Sequence, residues 1–348
     1  MAHSPVEDLL GECRFERVWK SQEPLGGILM RIKSTLLMAS MAALLSGAAY
    51  AQDLTFGYIP NNMAFPYNVA LVDGFNQRAA EKGVKTVVLD SRMSMETQAN
   101  QIDDLLLQKV NAIGFMPNDS VAVMSLVDKV VEAGVPIVAT AVSVGDPAAN
   151  PLDYVYPGLN ALVTTNDVEA GRVAGRLALE LLPKDRKVKI GVVEGAPGFS
   201  VVKQRQDGFE EVLKAAGMDY EIVASQPSDW TAESGESICQ NMLTATPDID
   251  LIHSHADPMS VGCAKALDAA GSKAFLVDSG GGSSLGMALV AAGDSEGSAC
   301  NAPFLLGQLT FDVLYAAVTD PANAKKGQYI LPEMVAVVPG NTNGCAPW

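Results

Sequence analysis

The chain has 348 residues, with 40 Asp and Glu against 24 Lys and Arg, a formal net charge of −16. Such a surface repels nucleic acid and anionic membrane and disfavours both as partners. Its 48% hydrophobic content, with no long polar tract, indicates a compact folded chain rather than a disordered one.

Residues 30–51 read as an export signal. Arg31 and Lys33 form a short basic stretch, Leu36 to Leu45 an apolar one, and Ala49-Tyr50-Ala51 gives the small-x-small pattern of a cleavage site. The apolar run falls far short of the roughly 20 residues that span a bilayer, so cleavage and delivery to the periplasm are expected. Residues 1–29, of mixed charge and with the stray Cys13, read as a leader upstream of a true start at Met30. Cutting after Ala51 leaves 348 − 51 = 297 residues, enough for two ordinary domains. That cut removes five acidic and five basic residues, so the net charge stays at −16.

Past the signal, apolar strand patterns appear at Leu54–Ile59, Thr86–Leu89, Ala112–Met116 and Pro136–Ala139. They recur at Lys189–Val193, Tyr220–Ala224, Leu251–His255 and Ala274–Val277. Helical stretches such as Thr97–Lys109 and Ser120–Ala133 separate them. Strand and helix alternating at this spacing predict parallel sheets covered on both faces. The chain also repeats itself. "DGFNQRAAEKG" at 73–83 has a counterpart in "DGFEEVLKAAG" at 207–217, and the stretch ending at Asp119 has one ending at Asp257. The offsets, 207 − 73 = 134 and 257 − 119 = 138, predict two equivalent βαβ lobes. Ligands of open parallel sheets bind beyond the carboxyl ends of the strands, so the expected site is the cleft between the lobes.

Four cysteines follow the signal: Cys239, Cys263, Cys300 and Cys345. Two disulfides are expected of an exported chain, and four cysteines allow three pairings. The favoured pairing joins Cys239 to Cys263, on helical stretches flanking one strand, and Cys300 to Cys345 in a tail that needs tying down. Four buried free thiols are the alternative.

The segments "GYIPNNMAFPYNVALVDGF", "GFMPNDS", "VPIVAT", "TTNDVEAGRVAG", "RQDGF", "SQPSDW", "CQNMLTATPDIDLIHSHADPMSVG" and "VDSGG" occur in the order and spacing of a known family. By them the chain resembles the periplasmic sugar-binding proteins of the ribose/galactose type, the type I receptors of ABC importers. The resemblance covers nearly the whole chain after the signal. It implies an α/β fold of two Rossmann-like lobes joined by a three-segment hinge, with crossings near Val163–Asp167, Asn301–Pro303 and Leu331–Met334. The N-terminal lobe would comprise 52–165 and 302–331, and the C-terminal lobe 166–301 and 332–348.

The resemblance also implies site residues. Phe65 and Tyr67, with Asn68 beside them, stand where the family stacks aromatic rings on sugar faces, unless they plug the lobe's own core. Arg205 matches an arginine whose planar fork of donors grips hydroxyl or ring oxygens; otherwise it is a solvated arginine at a helix start. Trp230 matches a stacking aromatic of the second lobe. Asp119, Thr140, Asp257 and Asp278 follow strand ends, where they either accept hydroxyl protons or hold the next turn or helix. His255 would offer a ligand hydrogen bond, and Asn301 matches a hinge-proximal amide. The "HSH" at 253–255 lacks a third ligand of clear spacing for a metal site.

Departures from the family bear on the ligand. Ala141 and Val142 replace an Asp-Arg pair, and Met116 and Ala256 replace asparagines, which makes the first-lobe wall more apolar than an ordinary pentose or hexose pocket. A small polyol, a deoxy or branched sugar, or a non-sugar solute then fits better than ribose or galactose. No nucleophile–base pair, phosphate loop or metalloprotease motif appears, so the expectation is a monomeric receptor that is not an enzyme, needs no cofactor and passes its ligand to a permease. The alternative is a sensor for an autoinducer-like furanose or a non-sugar solute.

Overall fold

A computed structural model describes residues 53–342 and 344–348; the expected leader and export signal at 1–51 lie outside them. The chain enters on β1 (Thr55–Ile59) and turns into α1 (Pro66–Lys82), which starts at a proline and stops at Gly83 with φ 67°. A proline at the first helical position forfeits only an N–H that would be unpaired anyway, and glycine takes a left-handed φ at little cost. Next come β2 (Lys85–Val88), α2 (Met95–Leu107), β3 (Ala112–Phe115), α3 (Met124–Glu132), β4 (Ile137–Thr140) and β5 (Ala161–Val163). The chain then crosses to α4 (Asp167–Leu181), β6 (Val188–Glu194), α5 (Ser200–Ala215), β7 (Tyr220–Pro227), α6 (Ala232–Ala245), β8 (Leu251–Ser254), α7 (Asp257–Ala270), β9 (Phe275–Gly281), α8 (Ser284–Ala292) and β10 (Gly297–Cys300). It returns for α9 (Pro303–Thr319) and β11 (Gln328–Ile330), and crosses once more to β12 (Val335–Val337).

Among the described residues these strands make two six-stranded sheets, ordered β11-β5-β4-β3-β1-β2 and β12-β10-β9-β8-β6-β7. Every pairing is parallel except that of β10 with β12. The two sheets with their covering helices form a two-lobe α/β fold joined by three crossing segments. Their cores come from continuous apolar strands. Phe56 and Tyr58 of β1 pack on Phe75 and Phe311, with ring centroids 5.0–5.5 Å apart. In the second lobe Phe209 and Leu213 cover Ile190 and Val192 on one face, while Met242 and Met259 cover the other. Each such fully buried side chain contributes about 1.5–3 kcal/mol.

The glycines of the repeated "DGF" set helix spacing. A Cβ on Gly74 of α1 would fall 1.9 Å from the Phe304 carbonyl oxygen, and one on Gly307 of α9 equally close to that of Leu71. The second lobe repeats this: Cβ atoms on Gly208 of α5 and Gly171 of α4 would each lie 2.0 Å from a main-chain oxygen, of Val168 and Arg205 respectively. Backbones therefore touch directly along these seams, with no side chain between them. Disulfides add two covalent ties, Cys239–Cys263 between α6 and α7 and Cys300–Cys345 between β10 and the segment after β12.

Differences from the sequence reading have local causes. The helix expected from Ser120 begins at Met124, because Asp119 Oδ1 accepts from the amides of Val121 and Ala122 and holds that stretch in a turn. Strands β5, β10, β11 and β12 were not expected from the sequence. Each has only three or four residues, and β10 is "GSAC", without the β-branched run that marks a strand.

Candidate functional site

The carboxyl ends of the parallel strands in both sheets open onto one interlobe cavity of about 100 Å³, room for several waters or one small ring. Asn61, Phe65, Tyr67 and Asn68 after β1, Met116 after β3 and Ala141 and Val142 after β4 line it from the first lobe. Phe199, Val201, Arg205, Trp230 and Gly280 line it from the second, and Thr165, Asp167 and Asn301 from the crossings. Trp348, from the segment after β12, lines it as well.

Each polar wall residue is held by a specific local arrangement. Asn68 Nδ2 donates to Asn61 Oδ1 and to the Asn62 carbonyl at 2.5 and 2.7 Å, which turns its own Oδ1 away from both. Asn166 caps α4 by accepting from the Glu169 amide, and so sets Asp167 at the first turn of that helix. Asp167 Oδ1 then lies 2.8 Å from Arg205 Nε and 2.8 Å from Nη2, while Nη1 donates to the His255 carbonyl. Three of the five guanidinium hydrogens are thereby directed at protein, and one on each terminal nitrogen is left. Burial pushes the Asp167 carboxyl up and the Arg205 charge pulls it down, with burial the larger effect. Tyr67 is raised as well, by burial first and then by the Asp167 charge.

Three acceptors on this wall are buried without a hydrogen-bond partner: Asn68 Oδ1, Asp167 Oδ2 and Asn301 Oδ1. A buried acceptor left unpaired costs about 1–3 kcal/mol, so such a group is normally satisfied by water or ligand. The rest of the wall is apolar and aromatic. Met116, Ala141 and Val142 of the first lobe pack with Phe199 and Val201 of the second. The Trp230 indole stands edge-on to Phe199 at 5.9 Å, over Gly195, where a Cβ would clash with the ring at 1.8 Å. Trp230 and Ala141 have φ 66° and 64°, left-handed values that cost a non-glycine residue about 1–2 kcal/mol and that gather at functional sites.

Of the residues singled out in sequence, Phe65, Tyr67, Asn68, Arg205, Trp230 and Asn301 share this cavity. Five others do not line it. Thr140 bonds Thr310 at 2.9 Å inside the first lobe, and Asp119 serves its own turn. His255 is fully buried, and its ring accepts from the Gly195 amide; what it presents to the site is its carbonyl, which anchors Arg205. Asp257 accepts from the Ser283 amide, and Asp278 bonds Ser260 Oγ and the Gly280 amide. These two acids tie the first turn of α7 to β9 and the turn after it, behind the wall. His253 stacks on Phe209 at 4.1 Å as a core residue.

Residues missed in sequence are Asn61, Thr165, Asp167, Phe199, Val201 and Trp348. Asp167 had a readable signal, since "TTND" lies at a crossing already identified. Trp348 had none, because its position depends on the course of the tail.

The comparisons with known proteins agree with this architecture. Residues 56–322 match the model of the periplasmic binding protein domain. The ribose import binding protein of Bacillus subtilis is 26% identical over 81% of this chain and 86% of its own. The D-allose-binding periplasmic protein of Escherichia coli is 25% identical over 66% of this chain and 72% of its own. Among solved structures, a Mycobacterium smegmatis protein in complex with β-D-fucofuranose superposes with a TM-score of 0.73 at 23% identity, covering 82% of this chain and 91% of that one. The Caulobacter myo-inositol binding protein does so at 0.73 and 22%, covering 82% and 94%. With its two parallel-rich sheets, its three crossings and a family match over most of its length, the chain belongs to the periplasmic binding protein family, as a type I member of the ribose/galactose kind and a binding protein rather than an enzyme.

Proposed function

We propose that the protein is the receptor of a carbohydrate ABC importer and closes on one monosaccharide or cyclic polyol. The observation that carries this is the set of three unpaired buried acceptors, on Asn68, Asp167 and Asn301, among the residues that line one cavity with Arg205. Three acceptors call for three O–H donors, and the arginine for a hydroxyl or ring oxygen. Asp167 and Arg205 cancel each other's charge, so a neutral ligand suits the site better than a phosphate or carboxylate. The aromatic rings in its wall, among them Phe65, Tyr67 and Trp230, suit the C–H faces of a sugar.

The apolar edge at Met116, Ala141, Val142 and Val201 refines the reading. A hydroxyl pointing there would lose its water without gaining a partner, at a cost of about 1–3 kcal/mol. The ligand therefore carries a deoxy, methyl or unsubstituted edge on that side. Because wall residues come from both lobes, ligand favours the closed form and shifts the population toward it, the shape a permease would receive.

Thermal unfolding of residues 52–348 against D-ribose, D-allose, D-arabinose, D-fucose, D-galactose and myo-inositol tests this. A ligand at a hundredfold excess over Kd adds about 2.7 kcal/mol of stability. A clear shift with at least one compound is expected; none with any, in protein free of co-purified ligand, rejects the carbohydrate reading.

A further inference from the structure

We propose that Trp348 is a specificity-determining wall of the interlobe site, carried on a strap that the Cys300–Cys345 disulfide pins across the cleft. The inference rests on the carbohydrate-receptor reading for the identity of the ligand, but the strap stands on its own observations. Trp348 belongs to the segment after β12, yet its ring lines the cavity and meets Tyr67 of the first lobe edge-on at 5.5 Å. Its indole Nε1 donates to the Asn301 carbonyl at 3.1 Å, the same residue whose Oδ1 is an unpaired acceptor of the site.

The second lobe holds the strap at several points. The Trp348 amide donates to the Gly282 carbonyl at 3.1 Å, and its main-chain oxygen accepts from the Ser284 amide at 2.8 Å. Cys345, three residues earlier, is bonded to Cys300 at the end of β10. Gly282 makes the fit possible: at φ 98° it brings its backbone under the strap, and a Cβ there would lie 3.0 Å from Trp348 Nε1 and 3.1 Å from Cys345 Sγ. An ordering of this kind exceeds what an unanchored tail of exposed residues would keep, since the flanking Ala346 and Pro347 are exposed while Cys345 is buried. The ring thus has its backbone in one lobe and its edge against the other. It adds an aromatic face beside Asn301 that restricts which ligand outline fits, and its contact with Tyr67 forms as the cleft closes.

Two measurements test it. Calorimetric titration compares wild type, Trp348→Ala, Trp348→Phe and the Cys300→Ser/Cys345→Ser pair, using whichever compound of the six above stabilises wild type. Affinity is expected to fall 10- to 100-fold in Trp348→Ala and in the cysteine pair, with Trp348→Phe recovering most of it; unchanged affinity in Trp348→Ala overturns the proposal. The chain from residue 52 has only two tryptophans, Trp230 and Trp348, so Trp230→Phe leaves the strap's indole as the sole reporter. Without any sugar, its emission is expected to resist acrylamide quenching and to shift to the red when the cysteine pair is also removed. An indole quenched like free tryptophan in the disulfide-intact protein overturns the strap. Should none of the six compounds bind wild type, the carbohydrate reading fails while the fluorescence still decides the strap.

Discussion

Arg205 Nε and Asp167 Oδ1 stand 2.8 Å apart in an ion pair where α5 meets the start of α4, with both side chains almost wholly removed from solvent. Taking two charges out of water is expensive, and removing one partner leaves the other uncompensated. Asp167→Asn keeps the shape but strands the guanidinium charge. It should lose roughly 3 kcal/mol of stability by urea unfolding, and Asp167→Asn combined with Arg205→Met should regain much of it. A single variant as stable as wild type would show that the Arg205 charge reaches water.

The seam between α4 and α5 makes a second prediction with an inverted sign. Alanine normally stabilises a helix relative to glycine by about 0.5–1 kcal/mol. At Gly171 the added methyl would sit 2.0 Å from the Arg205 carbonyl oxygen, so the helices must part. Gly171→Ala should lower the thermal midpoint and weaken ligand together, because the same displacement carries Arg205 off the wall. A midpoint that rises would mean the seam yields cheaply.

Asp257 and Asp278 give a pH signature. Burial, and then the neighbouring Asp278 carboxylate, holds Asp257 well above the usual carboxylate range, while burial pushes Asp278 from 3.8 to about 6. An acid raised in the folded state binds its proton more tightly there, so its stabilisation is full below 3.8 and is lost as pH rises through about 6. His253 runs the other way: burial lowers it from 6.5 to about 3, so its contribution is present above 6.5 and lost on acidification. Asp278→Asn keeps an acceptor for the Gly280 amide, can donate from Nδ2 to Ser260 Oγ, and cannot ionise. It should be more stable than wild type at pH 7, by up to roughly 3 kcal/mol for the Asp278 displacement, and about equal near pH 4. Thermal midpoints across that range check it; a gap that widens on acidification contradicts the assignment.

The apolar edge predicts ligand choice. D-fucose, with a methyl where D-galactose has a hydroxymethyl group, should bind at least tenfold more tightly, the equivalent of about 1.4 kcal/mol. Met116→Asn should narrow that gap by supplying a polar partner. Equal titration curves for the two sugars would place the bare edge elsewhere.

The alternation of strands and helices was legible because fully buried parallel strands are short apolar runs, and the repeated "DGF" marked equivalent helices. That the glycine in it serves helix contact was not legible, since a close approach involves two distant segments. The short strands β5, β10, β11 and β12 were invisible because three or four residues carry no period. In the site, aromatic residues in polar loops or at a helix start, such as Phe65, Trp230 and Tyr67, stood out against their surroundings. Asp167 did not, because an acid at a helix start already has a local explanation. In sequence His255, Asp257 and Asp278 read as following strand ends, but Asp278 lies within β9, and all three side chains turn back to amides and hydroxyls of the second lobe. Position along a strand fixes a residue's level in the sheet and leaves open which way its side chain turns.

Two of the three crossings carry cavity residues, Thr165 and Asn301, so a molecule held in the cavity would rest on the axle of the protein as well as between its jaws. Opening the jaws would then do more than uncover the cargo: it would turn the axle beneath it and withdraw part of its cradle. A transporter that pries the two halves apart would therefore loosen its cargo by the same motion that exposes it.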